Sequence, residues 1–209
     1  MWKADFLGEK SSFDPICESI EEVILKNNSG LFLVELPTES YCKTNLFTIK
    51  NLLEKGYQGI YVSFQRPVEN VNSWFNEYGV DIKKIKVLDG TNECKNKKEL
   101  LPKNIDKLFD KIYDSLQKID SDKKFVFIDS LTTMELINSK TWSENFSEYL
   151  INIKDDVDFE RIFFIVNVSR DLSEKKLVKN IGSYADGLFF INNTRDGYSV
   201  KVVKPNILT

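Results

Sequence analysis

Seven short apolar runs alternate with stretches whose apolar residues recur every three or four positions, and this alternation limits the folds open to the chain. The runs Leu31–Glu35, Gly59–Phe64, Ile85–Leu88, Phe125–Asp129, Ile162–Asn167, Gly187–Ile191 and Tyr198–Val203 are predicted strands. Between the first five lie helical stripes: Leu46/Ile49/Leu53, Val71/Trp74/Phe75/Tyr78, Ile105/Leu108/Phe109/Ile112/Leu116 and Trp142/Phe146/Tyr149/Ile153. Thr141 and Glu144 form a capping box at the start of the last. An earlier stripe, Ile16/Ile20/Val23/Ile24, ends at Asn27-Asn28-Ser29-Gly30. Unbroken apolar strands such as Phe125-Val126-Phe127-Ile128 require cover on both faces, so the expectation is an α/β fold with a mainly parallel sheet and helices on either side. Asp196-Gly197 between the last two strands predicts a closing antiparallel hairpin. No repeat or linker interrupts the pattern, which reads as one domain over residues 1–209. Sheets of this kind bind ligands at the carboxyl ends of their strands, which directs attention to Glu35–Thr44, Phe64–Pro67, Asp129–Thr133 and Asn167–Asp171.

Composition removes several chemistries. There is no histidine among the 209 residues, which excludes Ser-His-Asp and Cys-His hydrolysis and His-ligated zinc. The net charge of −3 gives no global attraction to nucleic acid, and only Arg66, Arg161, Arg170 and Arg195 offer the fork that grips phosphate bidentately. The lysines within Lys95–Lys98, with Lys103 and Lys107, are interleaved with acids and read as a solvated face. No apolar run approaches the roughly 18 residues of a membrane helix, and the first residues lack a signal-peptide core. A cytoplasmic protein is expected. Cys17, Cys42 and Cys94 are too widely spaced to suggest a disulfide frame or a cysteine metal site.

After the first strand the chain reads Leu36-Pro37-Thr38-Glu39-Ser40-Tyr41-Cys42-Lys43-Thr44, in the register of a phosphate-binding loop, GxxxxGK[ST]. Lys43 stands where the phosphate lysine belongs and Thr44 where the magnesium hydroxyl belongs. Four apolar residues run into Asp129, as in a Walker B strand. Gly59–Phe64 with Pro67, then Tyr78-Gly79-Val80-Asp81, then Phe127-Ile128-Asp129-Ser130-Leu131, then Tyr184-Ala185-Asp186-Gly187, follow one another in the order of the RecA/KaiC-like ATPase superfamily. The chain resembles its single-domain archaeal KaiC-like members over nearly its whole length. The resemblance implies the RecA-like P-loop NTPase fold and a nucleotide and magnesium site at Lys43, Thr44 and Asp129.

The departures from that family's pattern are as informative. Pro37 and Cys42 occupy the two glycine positions, and no glycine occurs from Leu31 to Lys55, although phosphate approach needs amides without a Cβ in the way. Glu35 and Glu39 add carboxylates beside a polyanion; at ~4 Å a like-charge pair costs about 1 kcal/mol in water and about 4 kcal/mol at an effective dielectric of 20. Where the family carries acidic residues after its second strand, one of them the base that activates water, this chain has Gln65 and Arg66. Where it carries a closing Lys-x-Arg, this chain has Lys204-Pro205-Asn206. Cys42, Gln65 and Arg66 therefore read as remnants of a site, with Glu35, Tyr41 and Arg66 placed to fill it.

Each candidate has a plainer role: Lys43 and Thr44 as an ordinary helix start, Asp129 as a helix cap, and Arg66 as the partner of Glu35 or Asp129 in a salt bridge, which is the favoured reading. Cys42, a thiol at a helix start beside Lys43, is a redox switch only where exposed. The expectation is a non-catalytic KaiC-like protein that regulates or scaffolds through a protein partner or self-association, holding no cofactor or Mg-ATP only weakly. The alternatives are a slow or regulatory ATP-binding KaiC-like ATPase and a recombination accessory protein that binds single-stranded DNA. Acidic composition weighs against the last.

Overall fold

The computed structural model describes residues 29–90, 102–137, 162–173, 175–194 and 197–203, with residues 20, 22, 23, 26, 145, 146, 148–150 and 152 of two further helical stretches. All seven predicted strands form: β1 (Gly30–Leu36), β2 (Gln58–Ser63), β3 (Ile85–Asp89), β4 (Lys124–Asp129), β5 (Ile162–Ser169), β6 (Gly187–Thr194) and β7 (Gly197–Val203). They join in one sheet of order β3-β2-β4-β5-β1-β6-β7, parallel except for the antiparallel β6–β7 pair. Thr194 pairs with Gly197, and residues 195 and 196 between them lie outside the described residues.

The helices are α1 (Tyr41–Glu54), α2 (Val68–Glu77), α3 (Pro102–Gln117), α4 (Leu131–Ile137) and α5 (Lys175–Tyr184). Strand residues alternate between two cores. Leu31, Leu33, Val126 and Ile128 pack with Leu108 and Ile112 of α3, Met134 of α4 and Ile181 of α5. Phe32, Val34, Phe125 and Phe127 pack with Leu46 and Ile49 of α1 and Val71 and Phe75 of α2. A sheet buried on both faces explains why its strands read as continuous apolar runs. Features of the sequence reading that lie outside the described residues include the Thr141/Glu144 capping box, Cys17, Cys94, the lysines at 95, 97 and 98, Arg161, Arg195 and Lys204-Pro205-Asn206.

Asp186 gives the Ala-Asp-Gly segment a physical role. Its carboxylate accepts from the Leu31 N–H at 2.8 Å and its own N–H donates to the Leu31 carbonyl at 2.7 Å, which fixes the start of β6 against the start of β1. Gly30, at φ 151°, fits there because a Cβ would stand 2.8 Å from that carboxylate. Helix α5, which precedes this segment, has no counterpart in the sequence reading.

Candidate functional site

The loop after β1 winds into a short helical turn, Thr38–Ser40, that runs directly into α1. Pro37 begins it at φ −62° and ψ 145°. Most of its backbone donors are occupied within the protein. Pro37 has no N–H, the Thr38 N–H goes to the Asp171 carboxylate at 3.2 Å, the Ser40 N–H to the Pro37 carbonyl at 2.9 Å, and the Tyr41 N–H to the Thr38 carbonyl. Thr38 is also tied to Ser169 by a hydroxyl contact of 2.8 Å. A glycine loop leaves such amides free to converge on an anion; here they hold the turn in place.

Tyr41 is packed beside the end of β4. Tyr41 is 5% exposed, and its hydroxyl faces Ser130 and Thr132 without meeting hydrogen-bond geometry to either. Burial pushes its phenol well above the ordinary value; Ser130 and Thr132 oppose the shift, and the Asp129 and Asp171 charges add to it.

Asp129 ends β4 within a buried polar cluster. Tyr61 of β2 donates its hydroxyl to Asp129 Oδ2 and accepts from Asn45 Nδ2 at 3.5 Å, and Asn45 Oδ1 in turn accepts from Asn167 of β5. Burial raises the Asp129 pKa, opposed by the Tyr61 and Asn45 hydrogen bonds and by the Arg66 charge. The same burial, with Asp129 beside it, raises Tyr61 well above its usual range. Five buried oxygens in this region have no partner: Ser40 Oγ, Tyr41 Oη, Thr44 Oγ1, Asp129 Oδ1 and Asn167 Oδ1. Thr44 and Asp129 are the residues that the resemblance implies for magnesium, and an orphaned buried oxygen on each fits a cation. The spent amides of the loop do not fit its phosphates.

Three readings from the sequence need correction. Asp129 does not cap α4; Ser130 does, its Oγ accepting from the Thr133 N–H at 3.2 Å. Arg66 forms no ion pair with Glu35 or Asp129. Its guanidinium donates to Cys42 Sγ at 3.0 Å and lies over Trp74, 5.4 Å from the ring centroid. Glu35 instead takes Arg170 at 2.7 Å, and Arg170 also donates to Asn192 at 2.6 Å. Of the residues expected to fill the site, Tyr41 is buried beside the end of β4, Arg66 lies against Cys42, and Glu35 is engaged elsewhere.

The remaining candidates are brought to one region. Gln65, exposed, donates to Ser130 Oγ at 3.1 Å, which links the end of β2 to the start of α4. Cys42 and Lys43 are half-buried at the start of α1. The sequence reading gave no role to Tyr61 or Asn45, and it marked Asn167 and Asp171 only as the ends of a strand-end segment. Tyr61 sits inside an apolar strand and Asn45 on a helix interior, so a polar group out of pattern was the available signal at both.

Solved structures place the fold among known proteins. A KaiC-like protein from the archaeon Pyrococcus horikoshii is similar at 15% identity and a TM-score of 0.54, over 84% of this chain and 77% of that one. A second P. horikoshii protein, solved in complex with an unknown peptide, is similar at 11% identity and a TM-score of 0.58, over 84% and 83%. The flagellar accessory protein FlaH from Methanocaldococcus jannaschii is similar at 14% identity and a TM-score of 0.53, over 85% and 79%. No curated protein matches the chain in sequence. No helix among the described residues is long and apolar enough to cross a membrane. Residues 43–200 match the family described as ATPase: KaiC, a match that begins just after Cys42 and spans most of the sequence, and the chain belongs to that family.

Proposed function

We propose that this chain is a non-catalytic KaiC family member, a pseudo-ATPase that regulates or scaffolds through association with a protein partner or with itself. The observation that carries the reading is the loop after β1. Its amides bond to Asp171, Pro37 and Thr38 instead of facing an anion, beside a buried Tyr41. Gln65 and Arg66, where the family carries acidic residues and its base, add to it, because neither the amide nor the guanidinium accepts a proton from water at neutral pH. Leu136, Leu172 and Tyr184, more than half exposed, are available to a partner surface.

A second reading has its own support. The unpartnered Thr44 Oγ1 and Asp129 Oδ1 suit a magnesium ion, so a slow or regulatory ATP-binding protein would use Lys43 on phosphate and Thr44 and Asp129 on the metal. Thermal unfolding with Mg-ATP separates the two. A binder saturated at 100 times its dissociation constant gains about 2.7 kcal/mol, whereas the pseudo-ATPase gains nothing at millimolar nucleotide. ATP turnover that disappears in Lys43→Ala or Asp129→Asn would overturn the proposal.

A further inference from the structure

At the far edge of the sheet, away from the loop after β1, a recess of about 460 Å3 lies around β3, the start of β2 and the end of α3. Lys83, Lys84, Lys86 and Lys118 line it, and no carboxylate among the described residues does. In a chain whose net charge is −3, four ammonium groups around one recess are a local reversal of sign. Of the four, Lys84 alone has a carboxylate partner among the described residues, Asp81 at 3.8 Å, and both side chains are nearly half exposed. That pair is open to exchange with solvent ions.

One of these charges is held in place. Lys86 donates to Ser115 Oγ at 2.8 Å, and Ser115 is 3% exposed. Lysines at a sheet edge commonly deter strand pairing by projecting outward. Lys86 instead turns over α3 onto a buried hydroxyl, which draws its charge into the recess. Lys124 already serves the end of α3 by donating to the Leu116 carbonyl at 2.9 Å, so Lys118 is not required there. Ile82, Ile85 and Ile119 supply an apolar wall, and Gln58 and Asn72 supply amides.

We propose that this recess binds a small organic polyanion, a compact molecule carrying two or more phosphate or carboxylate charges. The lysines bind it as point charges, with no bidentate fork to demand one anion geometry. Its body lies on the isoleucine wall, and the amides of Gln58 and Asn72 orient it.

The test is calorimetric titration of the full chain at low salt with citrate, pyrophosphate and acetate. Citrate or pyrophosphate binds, acetate does not bind measurably, and the stronger of the first two tells carboxylate from phosphate chemistry. Affinity falls as sodium chloride rises toward about 0.15 M, where screening acts within about 8 Å. The Lys86→Gln/Lys118→Gln variant, which keeps a hydrogen-bonding group on Ser115, loses about tenfold or more in affinity through two charge-assisted contacts. Lys83→Gln/Lys118→Gln, which leaves the Ser115 contact untouched, gives the same loss if the first variant is poorly folded. Lys43→Ala leaves the titration unchanged, which keeps this outcome separate from any nucleotide bound at the loop after β1. The proposal is overturned if neither polyanion binds, if acetate binds equally well, or if the lysine variants titrate like the parent.

Discussion

The loop after β1 and the end of β4 lie side by side, and on the proposed reading they differ from a nucleotide site to different degrees. The loop's departure is in the backbone. Pro37 removes one amide, a helical turn uses two more, and Asp171 takes a fourth. At the end of β4 the departure is confined to side chains. Asp129 and Thr44 keep their places, each with an orphaned oxygen, while Tyr61 and Asn45 engage the rest of the cluster. A phosphate cradle is made of amides that must all point one way, so a single helical turn dismantles it. A cation is held by side-chain oxygens, and those of Thr44 and Asp129 do not depend on the direction of the loop's amides.

The largest expected effect tests whether the ring or the backbone closes the site. Tyr41→Ala removes a buried aromatic side chain and should destabilise the chain by about 3–5 kcal/mol in urea unfolding. If spent amides are the barrier, the opened space brings no stabilisation by Mg-ATP. Stabilisation confined to Tyr41→Ala would place the barrier in the ring and show the backbone to be adaptable.

Tyr61→Phe comes next. It keeps the ring stacked on Phe127, centroids 5.6 Å apart, and removes only the hydroxyl that Asp129 accepts. A buried carboxylate whose Oδ1 already lacks a partner then loses the donor on Oδ2, at a cost of about 1–3 kcal/mol. Pairing it with Asp129→Ala, which removes the acceptor, in a double-mutant cycle should return a coupling of about 0.5–3 kcal/mol, and additive costs would mean that the contact contributes little.

The same contrast explains how far the sequence could be read. Strands and helix stripes are local periodicities, so β1 to β7 were visible to within a few residues, and so was the apolar seam of α3. Helix α5 was not visible, because Lys175, Lys176, Lys179 and Asn180 interrupt a short stripe of which Val178, Ile181 and Ala185 are the described members. The site residues were identifiable by position, but their partners were not. Arg170 finds Glu35 across 135 positions and Asp186 finds Leu31 across 155, contacts set by strand order in the sheet. Strand order also explains the misassigned salt bridge. Arg66 follows β2, whereas Glu35 is in β1, which lies between β5 and β6 and receives its cation from the residue after β5.

The smallest expected effect is a slope with pH, and it bears on whether Asp129 still suits a cation. Burial holds its folded pKa above the ordinary 3.8, so over the interval between the two values the folded chain retains a proton that the unfolded chain has released. The stability contributed by this group is complete below the ordinary value and is lost as pH rises through the raised one. Asp129→Asn cannot titrate there and keeps an oxygen for Tyr61 to donate to. The stability of the parent relative to Asp129→Asn should therefore fall with rising pH, by no more than about 1.4 kcal/mol per pH unit, the limit for a single proton. Urea midpoints for both proteins between about pH 4 and pH 7 measure that difference and cancel the titrations they share. A difference that grows with pH would mean that the Tyr61 and Asn45 hydrogen bonds and the Arg66 charge outweigh burial. Asp129 would then be a ready anion at neutral pH, and the end of β4 would still be equipped for magnesium beside a loop no longer shaped for phosphate.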